Sequence, residues 1–426
     1  MKLTSAKQQT IFLTGINGIV RALGLCMRIC LSRLLGPEAM GIMELAQSAH
    51  MLAITPLTSG LPIAVSRLTA KADANSKQLP LISGLSLARR LSILMIPLFW
   101  IISPFIARLM GDERVLPSLW FTAPCILILG YSAACNGYCY GIGRSELPAF
   151  SELIEQLIRF ILTFFLLRIL KHLTLPWFAA VPVAATMIAE ILGLFFVLSK
   201  LSIKQIHHAS SAWTRSVLRL AVPATLTRLM QTALRSLTSI LIPIRLQASG
   251  LSAAESMSQL GMMNGMVSPI LMLPGIFTSA LSMVMVPRIA KAEEKPSELG
   301  RLLRMCLYST IPLSIVFAVF IWEIAPVLAR TLYRQPELSD LFRQCAFQIL
   351  LFPINHLVIS TLSALGQQKR SMYVSSITSI VSLILTWVLA ADPALRIKGI
   401  IHVQYISQML SILLGCFMLI RWKTKR

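Results

Sequence analysis

Twelve apolar runs constrain this chain more than any other feature, each about as long as the ~20 residues a helix needs to cross a ~30 Å hydrocarbon layer. They fall at about 8–34, 40–62, 82–106, 118–140, 148–170, 175–198, 217–244, 257–286, 303–328, 342–365, 372–391 and 398–420. A peptide group in hydrocarbon finds no water to bond, so such runs must be helical. The fold expected is all-α, a polytopic membrane protein of about twelve transmembrane helices. Composition agrees, with 56% of the 426 residues hydrophobic, 13% charged and a mean hydropathy of +0.74. Soluble domains are about 25% charged, so an ordinary soluble enzyme, a disordered tail and a secreted disulfide scaffold are excluded. The eight cysteines all lie in apolar runs, two pairs of them four apart, and read as small buried hydrophobes. The first run carries Arg21 and Arg28 and has no small-residue cleavage site, which reads as a retained helix rather than a signal peptide.

The chain carries 39 Lys and Arg against 17 Asp and Glu, a net charge of +22. In a soluble protein that would point to nucleic acid. Here the excess sits between apolar runs, so no nucleic-acid partner is expected and the charges mark the cytoplasmic side and anionic lipid head groups. With twelve spans both termini share one side. That side collects twenty Lys and Arg, among them Lys2, Lys7 and the final Arg421, Lys423, Lys425 and Arg426, against eleven opposite. Both termini are expected to be cytoplasmic.

The two halves echo one another. Ser66, Arg67, Lys71 and Ala72 close the second span as Pro287, Arg288, Lys291 and Ala292 close the eighth. Gly141 and Arg144 follow the fourth span as Gly366 and Lys369 follow the tenth, and the first and seventh spans each carry two arginines seven apart. The expected organisation is an N-lobe over 1–199, a basic cytoplasmic linker over 200–216 and a C-lobe over 217–426. Six spans is an even number, so the two lobes should be related by a pseudo-two-fold along the membrane normal.

Ionisable groups inside spans cost about 2.5–3.5 kcal/mol each at a helix centre, and so face a cavity or a partner. Seven helical residues come within about 20° of two full turns, which puts Arg21 and Arg28 on one stripe with Asn17. Arg228 and Arg235 do the same in the seventh span, near Gln231. If the lobes pack about their pseudo-axis, four guanidinium groups meet, and a guanidinium fork suits pyrophosphate oxygens at any working pH. The competing reading is structural pairing with intramembrane acids. Glu152, Glu155 and Arg159 share a stripe of the fifth span, Glu155 and Arg159 can pair within that helix, and Glu190 and Glu323 are further candidates. Glu44 and His50 are the ionisable groups of the second span, candidates for charge partners or proton coupling. Gly261 and Gly265 form a packing motif, and prolines such as Pro182 and Pro353 allow bends. No metal or cofactor site is read from the chain.

Several spaced motifs carry a resemblance. Leu34-Leu35-Gly36-Pro37-Glu38 with Gly41 and Glu44, then Gly60-Leu61-Pro62 with Ser66-Arg67, resemble the multidrug/oligosaccharidyl-lipid/polysaccharide exporter superfamily. The nearest likeness is to stage V sporulation protein B-like polysaccharide flippases, relatives of the lipid II flippase. Pro223, Pro243, Pro274 and Pro287-Arg288 agree in the second half. The resemblance implies a cavity lined by first-helix arginines that hold a pyrophosphate, and Arg21 aligns with one of them. The family's second such arginine falls on Met27, and the one expected in the second span falls near Ile54. Many members carry two further C-terminal helices, and a role for those in holding a lipid tail is not transferred.

The function expected is flipping of a polyprenyl-pyrophosphate-linked oligosaccharide or peptidoglycan precursor by alternating access, in spore or cell-wall polymer synthesis. The place expected is the bacterial cytoplasmic membrane, and the protein is expected to be a monomeric secondary transporter rather than an enzyme, serving a cell-wall polymerase or glycosyltransferase. No phosphate-binding G-x-x-x-x-G-K-[ST] loop is present, so membrane potential, H+ or Na+ are the candidate driving forces. A cation-coupled multidrug exporter shares the architecture, but an arginine-fringed cavity repels cationic drugs. A membrane-embedded transferase needs acidic clusters that Asp112-Glu113 and Glu293-Glu294, on short loops, do not supply.

Overall fold

The computed structural model describes residues 6–201, 211–292 and 296–423, and these are helical almost throughout. Most of the expected linker lies outside the described residues. The chain divides into two compact units, Met1–Ser236 and Leu237–Arg426.

In the first unit, α1 runs Ala6–Thr58 and contains the first span and most of the second, whose end falls in the next helix. Gly36 breaks it, with φ 76° and ψ 174°, a backbone region that only glycine enters without strain, directly ahead of Pro37. The two limbs thus leave a single residue between them. The rest of the unit is α2 (Gly60–Lys71), α3 (Leu79–Leu109), α4 (Leu116–Gly141), α5 (Glu146–Ile169), α6 (Leu175–Lys200) and the N-terminal part of α7 (Ser211–Ala248). Helix α4 packs against α1, α2, α3 and α6. Its buried face holds many small residues, including Ala123, Ala133, Ala134, Cys135, Gly137 and Cys139, beside the larger Leu119 and Ile126, and the small ones let backbones approach closely where lipid offers no hydrophobic drive. Trp100 Nε1 donates to the Trp120 carbonyl at 3.0 Å and the Trp120 and Trp177 rings lie 6.0 Å apart, an aromatic cluster of the kind that sits at a membrane interface. At the expected outer surface, Arg114 bridges Asp112 at 2.7 Å and also reaches Glu38, just past the break in α1.

The second unit departs further from uninterrupted spans. Its eighth span is α8 (Ala253–Leu260), a π-helix (Gly261–Val267), α9 (Ser268–Leu271) and α10 (Pro274–Lys291). Ser252 opens α8 in a capping box with Glu255. Helix α11 (Pro296–Val327) runs into a second π-helix (Leu328–Tyr333). The tenth span is α12 (Leu338–Cys345) and α13 (Gln348–Ala364), bent by 44°. Helices α14 (Gln368–Leu389) and α15 (Ile397–Lys423) complete the unit. Met285, Ile289, Leu299, Cys306, Leu357 and Leu365 form a shared core of α10, α11 and α13.

Among the described residues six helices are long and apolar enough to cross a membrane, or seven with the bent pair. The remaining expected spans are joined across a kink, interrupted by π turns or studded with charge. The reading of all eight cysteines as buried is corrected: Cys26 is exposed, and Cys30 and Cys416 are half-buried.

Replacing Gly36 with alanine should destabilise the protein by about 1–3 kcal/mol through backbone strain alone, because a Cβ there meets nothing within 4 Å. The drop should appear as a lower unfolding temperature of the purified protein in detergent.

Candidate functional site

The first unit holds a partly open cavity of about 520 Å³. The first limb of α1 contributes Gly24, Met27, Arg28 and Leu31, and the second limb Gln47, His50, Met51, Ile54 and Thr58. Helix α5 adds Gln156 and Arg159, and α6 adds Pro182, Thr186 and Glu190. The wall is largely apolar, but Arg28, Arg159, Glu190 and His50 among apolar helices suit it to water or a charged guest.

Two guanidinium groups reach the cavity, and each has a carboxylate partner. Arg28 pairs with Glu44 across the break at Gly36. Arg159 pairs with Glu190 of α6 at 2.9 Å, not with Glu155 of its own helix. The competition was decided by geometry between helices. Glu155 sits 2.7 Å from Ser151 Oγ, which is also 3.0 Å from the Gly193 carbonyl. Gly193 permits this approach of α6, since a Cβ there would overlap the Glu155 carboxyl. Arg159 Nε is buried with no hydrogen-bond partner among the described residues, so the guanidinium retains a donor that Glu190 does not use. His50 Nδ1 lies 3.2 Å from Thr122 Oγ1, whose own hydroxyl lies 3.1 Å from the Ser118 carbonyl.

The other site residues read from the sequence lie elsewhere. Asn17, Arg21, Glu152, Arg228 and Arg235 are exposed, Gln231 is half-buried, and none of them lines the cavity. Arg21 lies on the stripe of Arg28, about 10.5 Å along the axis. Helix α7 docks on the second limb of α1: Ser236 Oγ donates to the Ser48 carbonyl at 2.8 Å, Thr55 Oγ1 to Thr232 Oγ1 at 3.5 Å, and the Gly60 N–H to Thr225 Oγ1 at 3.2 Å. Arg228 and Arg235 flank that contact face by about 60° or more. Neither they nor Arg21 forms an ion pair with a described carboxylate. Met27 and Ile54, where the resemblance leads one to expect arginine, both line the cavity. Gln47, Gln156 and Thr186 are polar wall residues with no charge to single them out in sequence.

A family profile described as "Polysaccharide biosynthesis protein" matches residues 6–293, and one described as "MatE" matches 223–388. Stage V sporulation protein B of Bacillus subtilis (strain 168) is 25% identical over 412 residues, which is 92% of this chain and 79% of that protein. The solved structure of lipid II flippase MurJ in an inward closed conformation matches with a TM-score of 0.78 at 16% identity, over 96% of this chain and 87% of that one. An inward-facing multidrug resistance MATE family transporter of the MOP superfamily matches with a TM-score of 0.73 at 16% identity, over 95% and 99%. Fold and profiles together define a multi-pass membrane protein of the MOP superfamily of flippases and exporters, with the all-helical, twelve-span, two-lobe architecture of its transporters. The chain belongs to the polysaccharide biosynthesis protein family.

Glu190→Gln should lower stability by about 3 kcal/mol or more, because it leaves the Arg159 charge half-buried and uncompensated. Arg159→Met combined with Glu190→Met should cost clearly less. Unfolding temperatures of the two purified variants, compared with wild type, check the order.

Proposed function

We propose that the chain flips an anionic, polyprenyl-pyrophosphate-linked glycan from the cytoplasmic to the outer leaflet of a bacterial membrane. The observation that carries this reading is the set Arg21, Arg228 and Arg235: exposed guanidinium groups halfway along apolar helices, with no described carboxylate to neutralise them. Each would cost several kcal/mol in lipid unless it faces water or a bound anion, and a guanidinium fork takes phosphate oxygens in pairs. Two negative charges crossing an inside-negative potential of ~100 mV gain about 4.6 kcal/mol outward, enough to drive export by repeated alternation of access. The polysaccharide profile and the likeness to stage V sporulation protein B support a precursor of spore or cell-wall polymer, handed to a polymerase or glycosyltransferase by a monomeric flippase with both termini in the cytoplasm.

A second reading, a cation-coupled exporter, is favoured by one observation, the acid Glu190 in the cavity wall. It differs in the sign of its cargo. In proteoliposomes an applied inside-negative potential should accelerate outward flipping of a fluorescent lipid-linked precursor, and Arg21→Ala with Arg228→Ala should reduce the rate at least tenfold. Uptake of a cationic dye in place of lipid flipping would select the exporter. Topology is tested separately: green fluorescent protein fused at the C-terminus should fluoresce and alkaline phosphatase fused there should be inactive.

A further inference from the structure

Arg28 differs from the uncompensated arginines in how it is held. It lines the cavity with 36% of its side chain exposed, while its partner Glu44 is only 12% exposed and is not among the lining residues. The carboxylate therefore reaches the guanidinium from the protein side and leaves part of the fork turned toward the cavity. The two residues belong to different limbs of α1, so the pair is a tertiary contact across the Gly36 break rather than local helix decoration. The stretch that holds Glu44 also carries α7, because the Ser48 hydroxyl donates to the Glu44 carbonyl at 3.2 Å and the Ser48 carbonyl accepts from Ser236.

We propose that Glu44 is a built-in counter-anion that sets the affinity threshold of the site: a ligand gains Arg28 fully only by displacing this carboxylate, a cost that keeps the singly charged phosphodiesters of bulk phospholipid off Arg28 while a pyrophosphate diester can still meet it. The inference rests on the phosphate-bearing cargo proposed above. Exchanging one carboxylate for one singly charged phosphodiester leaves the local charge unchanged and gains little. A pyrophosphate diester brings two charges and more acceptor oxygens to the same fork, so it can outcompete Glu44. Without such a competitor, phospholipids, which are in vast excess in the membrane, would occupy the guanidinium. Glu44 is thus a positioning residue that acts through Arg28 and decides how strong an anion must be to claim it.

The test uses the purified full chain in detergent and two probes with the same short prenyl chain and the same sugar, one joined by pyrophosphate and one by a single phosphate. Wild type should prefer the pyrophosphate probe by about tenfold or more. Glu44→Gln should bind both probes roughly tenfold tighter, a change within the usual range of site coupling, while Glu44→Asp should bind them as wild type does. A Glu44→Gln variant whose affinity for the single-phosphate probe is unchanged, in a protein whose wild type binds the pyrophosphate probe, overturns the role of Glu44 and leaves the proposed function standing. A wild type that binds neither probe overturns both. If Glu44→Gln does not fold, Arg28→Gln with Glu44→Gln replaces it. That variant should bind the pyrophosphate probe more weakly than wild type, and wild-type affinity in it overturns the proposal.

Discussion

Everything in this molecule answers to the cost of placing charge and unpaired peptide groups in hydrocarbon. The backbone resolves its share by being helical throughout the described spans. The side chains resolve theirs in two ways. Arg28 and Arg159 are matched with Glu44 and Glu190 at a common cavity, whereas Arg21, Arg228 and Arg235 stand exposed with no described acid. The first arrangement stabilises an interior and the second asks for an anion, and the proposed flippase for phosphorylated lipids would use both.

Much of the fold could be read from the chain because hydrocarbon leaves so few options. The break between the first two spans was visible as Gly36-Pro37, a residue that tolerates positive φ followed by one that cannot continue a helix. The interior of the eighth span was not. Gly261 and Gly265 read as a packing motif, yet the backbone there is a π-helix, and an extra residue in a turn leaves no trace in an already uniform apolar run. Cys26 exposes a related limit: lipid and protein core are both apolar, so apolarity alone does not tell a lipid-facing side from a buried one.

The site was legible to a similar depth. Intramembrane charge singled out Arg28, Arg159, Glu44 and His50, all found at the cavity or paired to it. The pairing of Arg159 was read at the spacing of one helix, where Glu155 stands four residues ahead. That local contact is worth a few tenths of a kcal/mol, and it yields to an ion pair between helices once Ser151 engages Glu155 and Gly193 lets α6 come close. Such tertiary competition has no signature in spacing. Neutral wall residues such as Gln47 and Thr186 were hidden for a simpler reason, since spans contain many polar groups that only hydrogen-bond their own helix.

The two π-helices of the second unit touch: Tyr333 donates its hydroxyl to the Met266 carbonyl at 3.0 Å, and Cys345 Sγ lies 4.0 Å from Met263 Sδ. One surplus residue rotates everything beyond it by about 100°. Each of these spans therefore stores a register shift that an ordinary helix could acquire only by insertion or deletion. Sequences in which one of them is a residue shorter can keep the same faces inward by straightening that turn. Length variation in this part of the chain is thus absorbed by the backbone locally, and it need not be passed on to neighbouring helices.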